Sequence, residues 1–310
     1  MEKYKYLILL PCFNEENYIE EALHNLDEFL KLDNVELLAI DDGSTDSTYN
    51  VLTDDERVNY ILKSNNNQGL ARVFTSAQKF TLDNRFDYLI IYDCDSQYPA
   101  AQIKELISRS TGNDIVIGCR DFKQNQIFSK FKNLLQIIGS KIISIVAGVN
   151  ISDVTSGFRI YNNYSLKKLL VTDNFSYTID TLLQAQKHSL KIDTFKLLSF
   201  KKTRDSRLFD SNFKYIYLAF LTILNSILIY REKFIIRIIY ILNFTIGVTA
   251  LSRFFIPFFQ EGENPGNIQS LIFGSFLIVV SFLLNLLVNQ RIHNKKLNAI
   301  LLKTSPVSHY

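Results

Sequence analysis

Two stretches, 235–255 and 271–288, each come close to the ~20 apolar residues that a helix needs to cross a bilayer. Lipid tolerates no unpaired backbone, so this part of the chain is expected to form a two-helix transmembrane hairpin within 233–290. Arg237 and Arg253 stand near the ends of the first run, where long side chains can snorkel to the headgroups. Arg231, Lys233, Arg291, Lys295 and Lys296 flank the outer ends, whereas the connecting segment carries Glu261 and Glu263 and no Lys or Arg. The positive-inside rule then puts the rest of the chain and the tail at 291–310 on the cytosolic side of the plasma membrane. Just upstream, Phe213, Ile216, Tyr217, Phe220, Leu221, Leu224, Ile227 and Leu228 recur at helical spacing. Segment 208–232 therefore reads as an amphipathic helix lying in the membrane interface, with a third spanning helix or a buried core helix as alternatives.

The first two hundred or so residues follow a different pattern. Short aliphatic runs at 6–10, 35–40, 58–62, 88–92 and 115–117 alternate with amphipathic stretches at 18–32, 47–52, 70–81 and 100–108. That alternation predicts an α/β domain with a mostly parallel sheet flanked by helices. A length of 310 residues leaves room for one such domain and an appendage. The net charge of +3 is too slight for nucleic-acid binding through phosphate contacts. Cys12, Cys94 and Cys119 have neither a disulfide nor a zinc spacing, which fits a reducing compartment. All three fall at strand ends, so they are expected either to cluster near a ligand site or to fill core space. The run 6–10 is followed by Pro11, Glu15 and Glu16 and is too short for a signal peptide.

In open sheets of this kind, ligands bind beyond the carboxyl ends of the strands. Asp41-Asp42-Gly43-Ser44-Thr45-Asp46 follows the second predicted strand and reads equally as a structural turn or a ligand loop. Asp93-Cys94-Asp95-Ser96-Gln97 follows the fourth. Two carboxylates one residue apart can hold a hard divalent cation against a diphosphate, or they can form a solvated turn with a helix cap. The helical periodicity of Phe128, Phe131, Leu134, Leu135, Ile138, Ile142 and Ile145 is compatible with core packing or with contact with a lipid.

Four motifs occur in order at successive strand ends: Pro11-Cys12-Phe13-Asn14-Glu15, the Asp41 to Asp46 run, Asn67-Gln68-Gly69, and Asp93 to Pro99. Together they resemble the inverting family-2 glycosyltransferases of GT-A (Rossmann-like) fold. Gly118-Cys119-Arg120 and Thr155-Ser156-Gly157-Phe158-Arg159 resemble the subgroup that works on polyprenyl phosphates. The resemblance covers about 4–207 and implies transfer of one sugar from a nucleotide-sugar, UDP-glucose being favoured, to undecaprenyl phosphate with inversion. It further implies that Pro11, Phe13, Glu15, Asp41, Asp42 and Cys94 bind the nucleotide. Asp93, Asp95 and Gln97 would meet Mg²⁺ or Mn²⁺. Arg120 and Arg159 would face the phosphates, with the backbone of Thr155, Ser156 and Gly157 approaching the same anion. Asp180 matches an acidic position on a later helix, and relatives suggest a homo-oligomer, a tetramer among the options.

Two departures stand out. Tyr98 replaces a histidine usual in that subgroup, and the later basic motif survives only as Lys202 to Arg207 with altered spacing. Arg204 and Arg207 read either as lid or phosphate residues or as contacts to lipid headgroups. A processive polysaccharide synthase is the nearest rival reading, but those enzymes share a Gln-x-x-Arg-Trp motif and this chain has no tryptophan. A non-catalytic membrane scaffold is the alternative of a different class.

Overall fold

Tyr6, Ile8, Leu10 and Cys12 alternate with Leu7 and Leu9 along the first strand, and all six are at most 2% exposed. A strand buried on both faces must lie inside a sheet with a layer packed on each side. The computed structural model describes residues 4–121, 130–171, 176–200, 232–261 and 268–304, with single positions 221 and 224. Its sheet is built from β1 (Tyr6–Cys12), β2 (Val35–Asp41), β3 (Tyr60–Lys63), β4 (Tyr88–Ile91), β5 (Ile115–Cys119), β6 (Arg159–Asn162) and β7 (Ile192–Lys196). The spatial order is β3-β2-β1-β4-β6-β5-β7. β6 runs antiparallel to both of its neighbours, β4 and β5, and every other pairing is parallel.

The helices follow from apolar spacing. Ile19, Ala22, Leu23, Leu26 and Phe29 make one buried stripe on α1 (Ile19–Leu30), which joins Ile8, Leu10, Leu37 and Ile90 in the main core. α2 (Thr48–Thr53) is short, and α3 (Leu70–Asp83) packs on β1, β2 and β4. The helix expected from 100 begins as a 3₁₀ turn, Ala100–Gln102, and continues as α4 (Ile103–Ser110). β3 starts two residues later than its sequence suggests, because the Val58 amide closes a turn on the Asp55 carbonyl. α5 (Lys130–Ala147), α6 (Asn163–Lys168) and α7 (Tyr177–Lys187) complete the first unit.

The periodic apolar residues described on α5 divide between two faces, while Phe128 and the side chains of Phe131 and Leu135 lie outside what the structure describes. Ser140, Ile143 and Ala147 are buried, whereas Leu134, Ile138, Ile142 and Ile145 are 40–69% exposed. The helix thus has an apolar inner face and a second apolar stripe facing outward.

The chain divides into two compact units, Met1–Ile223 with Ala299–Tyr310, and Leu224–Asn298. The second unit contains α8 (Glu232–Glu261) and most of α9 (Ile268–Thr304). These helices meet where both lack side chains: a Cβ on Gly274 would lie 3.0 Å from the Gly247 carbonyl oxygen and 3.2 Å from Leu251 Cγ. Ser281 is also buried, while Ile241, Leu242, Ile256, Phe259, Ile272, Phe276 and Phe282 are all more than half exposed. Among the described residues no helix is long and apolar enough to cross a membrane. The expected juxtamembrane helix, Arg204 and Arg207 lie outside the described residues apart from positions 221 and 224.

Candidate active site

The tips of β1 and β2 are sewn together by side chains that bond backbone. The Asn14 amide donates to Ser44 Oγ (2.9 Å), the Thr45 amide to Asn14 Oδ1 (2.8 Å) and the Glu15 amide to Thr48 Oγ1 (2.8 Å). Gly43 has φ +76°, and a Cβ there would sit 2.4 Å from the Asn66 carbonyl carbon. Only glycine allows that approach, which brings 65–69 across the β2 tip. Asp42 then accepts from the Gln68 amide (3.0 Å) and the Gly69 amide (2.7 Å), capping the N-terminus of α3 from another strand. Burial raises its carboxyl pKa, and those two amides partly counter the rise. Asp41 or Asp42 was expected in the base and ribose pocket; both oxygens of Asp42 accept from amides of the 65–69 loop.

Asp41 is fully buried, with Oδ1 accepting from the Ser44 amide (2.9 Å). Its Oδ2 is a buried acceptor with no hydrogen-bond partner among the described residues. Buried polar atoms are nearly always satisfied, so an orphan acceptor at a strand tip marks a place for a donor to arrive. Phe13 stands beside this loop with 37% of its surface exposed. Pro11 is partly buried and Glu15 buried.

Asp93 and Asp95 follow β4, both partly exposed, and the Gln97 amide donates to Asp95 Oδ1 (3.3 Å). Cys94 between them is buried. Its thiol is buried against Cys12, and that hydrogen bond together with burial raises its pKa well above the ordinary value. The pair ties the β1 tip to the β4 tip. Cys119 is buried at the end of β5, also with a raised pKa from burial, so core filling accounts for all three cysteines. Among the described residues no three His, Cys, Asp or Glu side chains gather as a metal cage. An adjacent pair of carboxylates still suits Mg²⁺ or Mn²⁺, which are bound by one or two carboxylates and complete their shell with water and substrate phosphate.

Beyond β5, Arg120 is gripped by a residue the sequence reading passed over. Asp153 is fully buried and accepts from Arg120 Nε (2.6 Å) and Nη2 (3.0 Å), while Nη2 also donates to Thr155 Oγ1 (2.8 Å). Burial alone would lower the Arg120 pKa, but the Asp153 carboxylate raises it. The same pairing holds the Asp153 carboxyl below the usual range against its own burial. The guanidinium lies 5.3 Å from the Phe200 ring centroid and keeps 13% of its side-chain surface exposed.

Arg159 was expected to face a phosphate, and the structure encloses it instead. It is fully buried, with Nε donating to the Ser156 carbonyl (2.7 Å), Nη2 to that of Val154 (2.8 Å) and Nη1 to that of Thr178 (2.9 Å). A buried guanidinium needs such partners for its donors, and here they pin the 154–157 turn to α7. The amides of that turn are also engaged: Thr155 N donates to Asp153 Oδ1 (3.2 Å) and Gly157 N to the Tyr98 hydroxyl (3.1 Å), while Ser156 Oγ donates to the Gly118 carbonyl (2.5 Å). What the turn presents to the cleft is its bare Cα. A Cβ on Gly157 would lie 3.4 Å from Asp93 Oδ2 and 3.5 Å from the Tyr177 hydroxyl. Asp180, one turn along α7, is buried and accepts from Gln184 Nε2 (3.2 Å). Tyr177 was not expected as a site residue; it stacks on Phe74 (4.8 Å, 15°) with its hydroxyl beside Gly157.

Along the strand tips the order is an aromatic and a buried carboxylate at the ends of β1 and β2, paired aspartates after β4 and a clamped arginine after β5. The profile of Glycosyl transferase family 2 matches residues 7–170, more than half of the chain. The chain is 24% identical over 169 residues to an undecaprenyl-phosphate mannosyltransferase of Micrococcus luteus, covering 53% of this chain and 68% of that protein. It is 26% identical over 217 residues to a UDP-N-acetylglucosamine–dolichyl-phosphate N-acetylglucosaminyltransferase of Methanococcus voltae, covering 62% and 83%. Glucosyl-3-phosphoglycerate synthase from Mycobacterium tuberculosis, crystallised with Mn²⁺ and UDP-glucose, has the same fold at a TM-score of 0.57 and 15% identity, covering 73% of this chain and 79% of that one. With its sheet order, its strand-tip motifs and this match, the chain belongs to glycosyltransferase family 2, with a GT-A domain.

Proposed function

We propose that the chain transfers one sugar from a nucleotide-sugar, UDP-glucose in the first instance, to a polyprenyl phosphate with inversion at the anomeric carbon. The observation that carries this reading is the meeting of Asp93, Gly157 and the Arg120–Asp153 pair at one end of the sheet. The names of the two sequence relatives, both transferases to lipid phosphates, support the acceptor class. On this reading Phe13 and Asp41 would take the base, and Asp93 and Asp95, with Gln97 beside them, would hold Mg²⁺ or Mn²⁺. The ion, when bound, supplies neutralising charge to the departing diphosphate. A lipid phosphate has a second pKa near ~6, so it arrives as an anion and needs positioning more than deprotonation. Arg120, oriented by its ion pair with Asp153, would meet that anion with the part of the guanidinium that stays exposed.

The membrane reading rests on the second unit and on α5. α8 and α9 pack through glycine and point large apolar side chains outward, the pattern that suits helices in lipid. At 30 and 37 residues they would extend about 45 and 55 Å. On this reading 233–290 is a transmembrane hairpin, 208–232 is interfacial, and the catalytic domain and C-terminus are cytosolic. α5 contains Lys130, Lys132 and Lys141 and no acidic residue, so its outward stripe suits the headgroup region of an anionic leaflet. Self-association, with a tetramer as one form, belongs to the same proposal.

Purified full-length chain should be incubated with undecaprenyl phosphate, Mg²⁺ or Mn²⁺ and a panel of nucleotide-sugars. One donor yielding a single sugar per lipid phosphate is the expected result. A polymer would transfer the reading to a processive synthase, and no product with any donor would leave a membrane scaffold.

A further inference from the structure

Tyr98 sits under the cleft in a setting that fixes its hydroxyl. It is buried, its ring stacks on Phe158 (5.3 Å, 16°) and it meets Phe200 edge-on (5.4 Å, 66°). Its backbone carbonyl accepts from the Tyr92 hydroxyl (3.2 Å). Its own hydroxyl oxygen accepts from the Gly157 amide (3.1 Å), the residue whose Cα faces Asp93. On the opposite side, Arg159 holds the Ser156 and Val154 carbonyls. The turn is therefore anchored at its carbonyls by a guanidinium and at the Gly157 amide by one phenol.

We propose that Tyr98 is a positioning residue: by accepting the Gly157 amide it holds the bare Gly157 backbone against Asp93 and so sets how tightly the site takes a metal-bound nucleoside diphosphate. The idea rests on the donor-site reading above. Leaving a buried amide unpaired loosens the segment that carries it, because that amide then seeks water or another acceptor. Any such movement changes the space beside the Asp93 carboxylate. The phenol works here as an acceptor, since the Gly157 amide donates to its oxygen. Asp93, Arg120, Asp153 and Tyr177 are the charged and titratable groups that face it.

The test is titration of detergent-solubilised full-length chain with Mn²⁺ and UDP, read by the Mn²⁺ electron paramagnetic resonance signal, with GDP in parallel and steady-state kinetics beside it. Tyr98→Phe keeps both ring contacts and removes only the acceptor. It is expected to weaken Mn²⁺–nucleotide binding about tenfold and to raise the donor KM by a similar factor, with the acceptor KM unchanged. Its pH–rate profile should run parallel to wild type. Gly157→Ala, which puts a methyl in contact with Asp93 and keeps the amide, is the second variant and should weaken binding in the same direction. Wild-type binding in both variants overturns the proposal, as does loss of an alkaline limb in Tyr98→Phe, which would mean proton transfer. If the wild-type chain binds neither Mn²⁺–UDP nor Mn²⁺–GDP, the donor-site reading itself fails and takes this proposal with it.

Discussion

Asp93, Asp95 and Arg120 stand partly exposed beyond the strand tips, whereas Asp42, Asp180 and Arg159 have almost no exposed surface. The residue types are the same in the two regions, and several carried the same expectation. At the rim, charges are held in place yet stay partly exposed, as the Arg120–Asp153 fork shows. In the floor, charges are occupied by the backbone: Asp42 by two amides and Arg159 by three carbonyls. Charge in this fold therefore has two uses, and burial sorts them. A charged group that is enclosed must satisfy its own hydrogen bonds within the protein, and in doing so it becomes a structural tie.

That contrast can be broken by substitution. Arg159→Met should give the largest effect, a loss of about 3–5 kcal/mol of stability from orphaned carbonyls in the floor, measured by denaturant unfolding. If it folds normally and fails only in turnover, the distinction between floor and rim collapses. Asp95→Ala should do the reverse, lowering turnover about a hundredfold or more while stability moves by less than about 0.5 kcal/mol. Normal metal-dependent turnover in that variant would remove Asp95 from the site. Arg120→Lys keeps the charge and loses the fork, so turnover should fall about tenfold with folding retained.

The smallest effect concerns pH. The folded-state pKa of Asp153 is depressed, so the stability it contributes is fully present above its unfolded value of ~3.9 and is lost as pH falls through the lowered folded value. Asp153→Asn should flatten the acid limb of the stability curve in that range. An unchanged limb would mean that the ion pair contributes nothing there.

The parallel half of the sheet was legible because β1 to β5 are aliphatic runs bounded by turn residues. β6 and β7 were not. β6 is four residues long, and its Arg159 and Asn162 give no strand signal; it exists because β4 and β5 offer it ladders on both sides. Among the described residues β7 pairs only with β5, and it interleaves Asp193 and Lys196 with Ile192 and Phe195, the pattern of a half-covered edge. Asp153 was passed over for a related reason. In sequence it is one more acidic residue in a turn, and nothing local tells that Arg120, 33 positions earlier, will reach it.

The sequence by itself determined the alternation of strands and helices, the placing of acidic motifs after β2 and β4, and the contrast between a mixed domain and a strongly apolar end. These depend on periodicity and on residue types that act locally. Only the tertiary structure decided which charged residues reach the cleft, because that depends on what lies across from each side chain once distant segments meet. Gly43 admits the 65–69 loop, which captures Asp42, and the antiparallel turn into β6 swallows Arg159 and delivers the Gly157 backbone to Asp93.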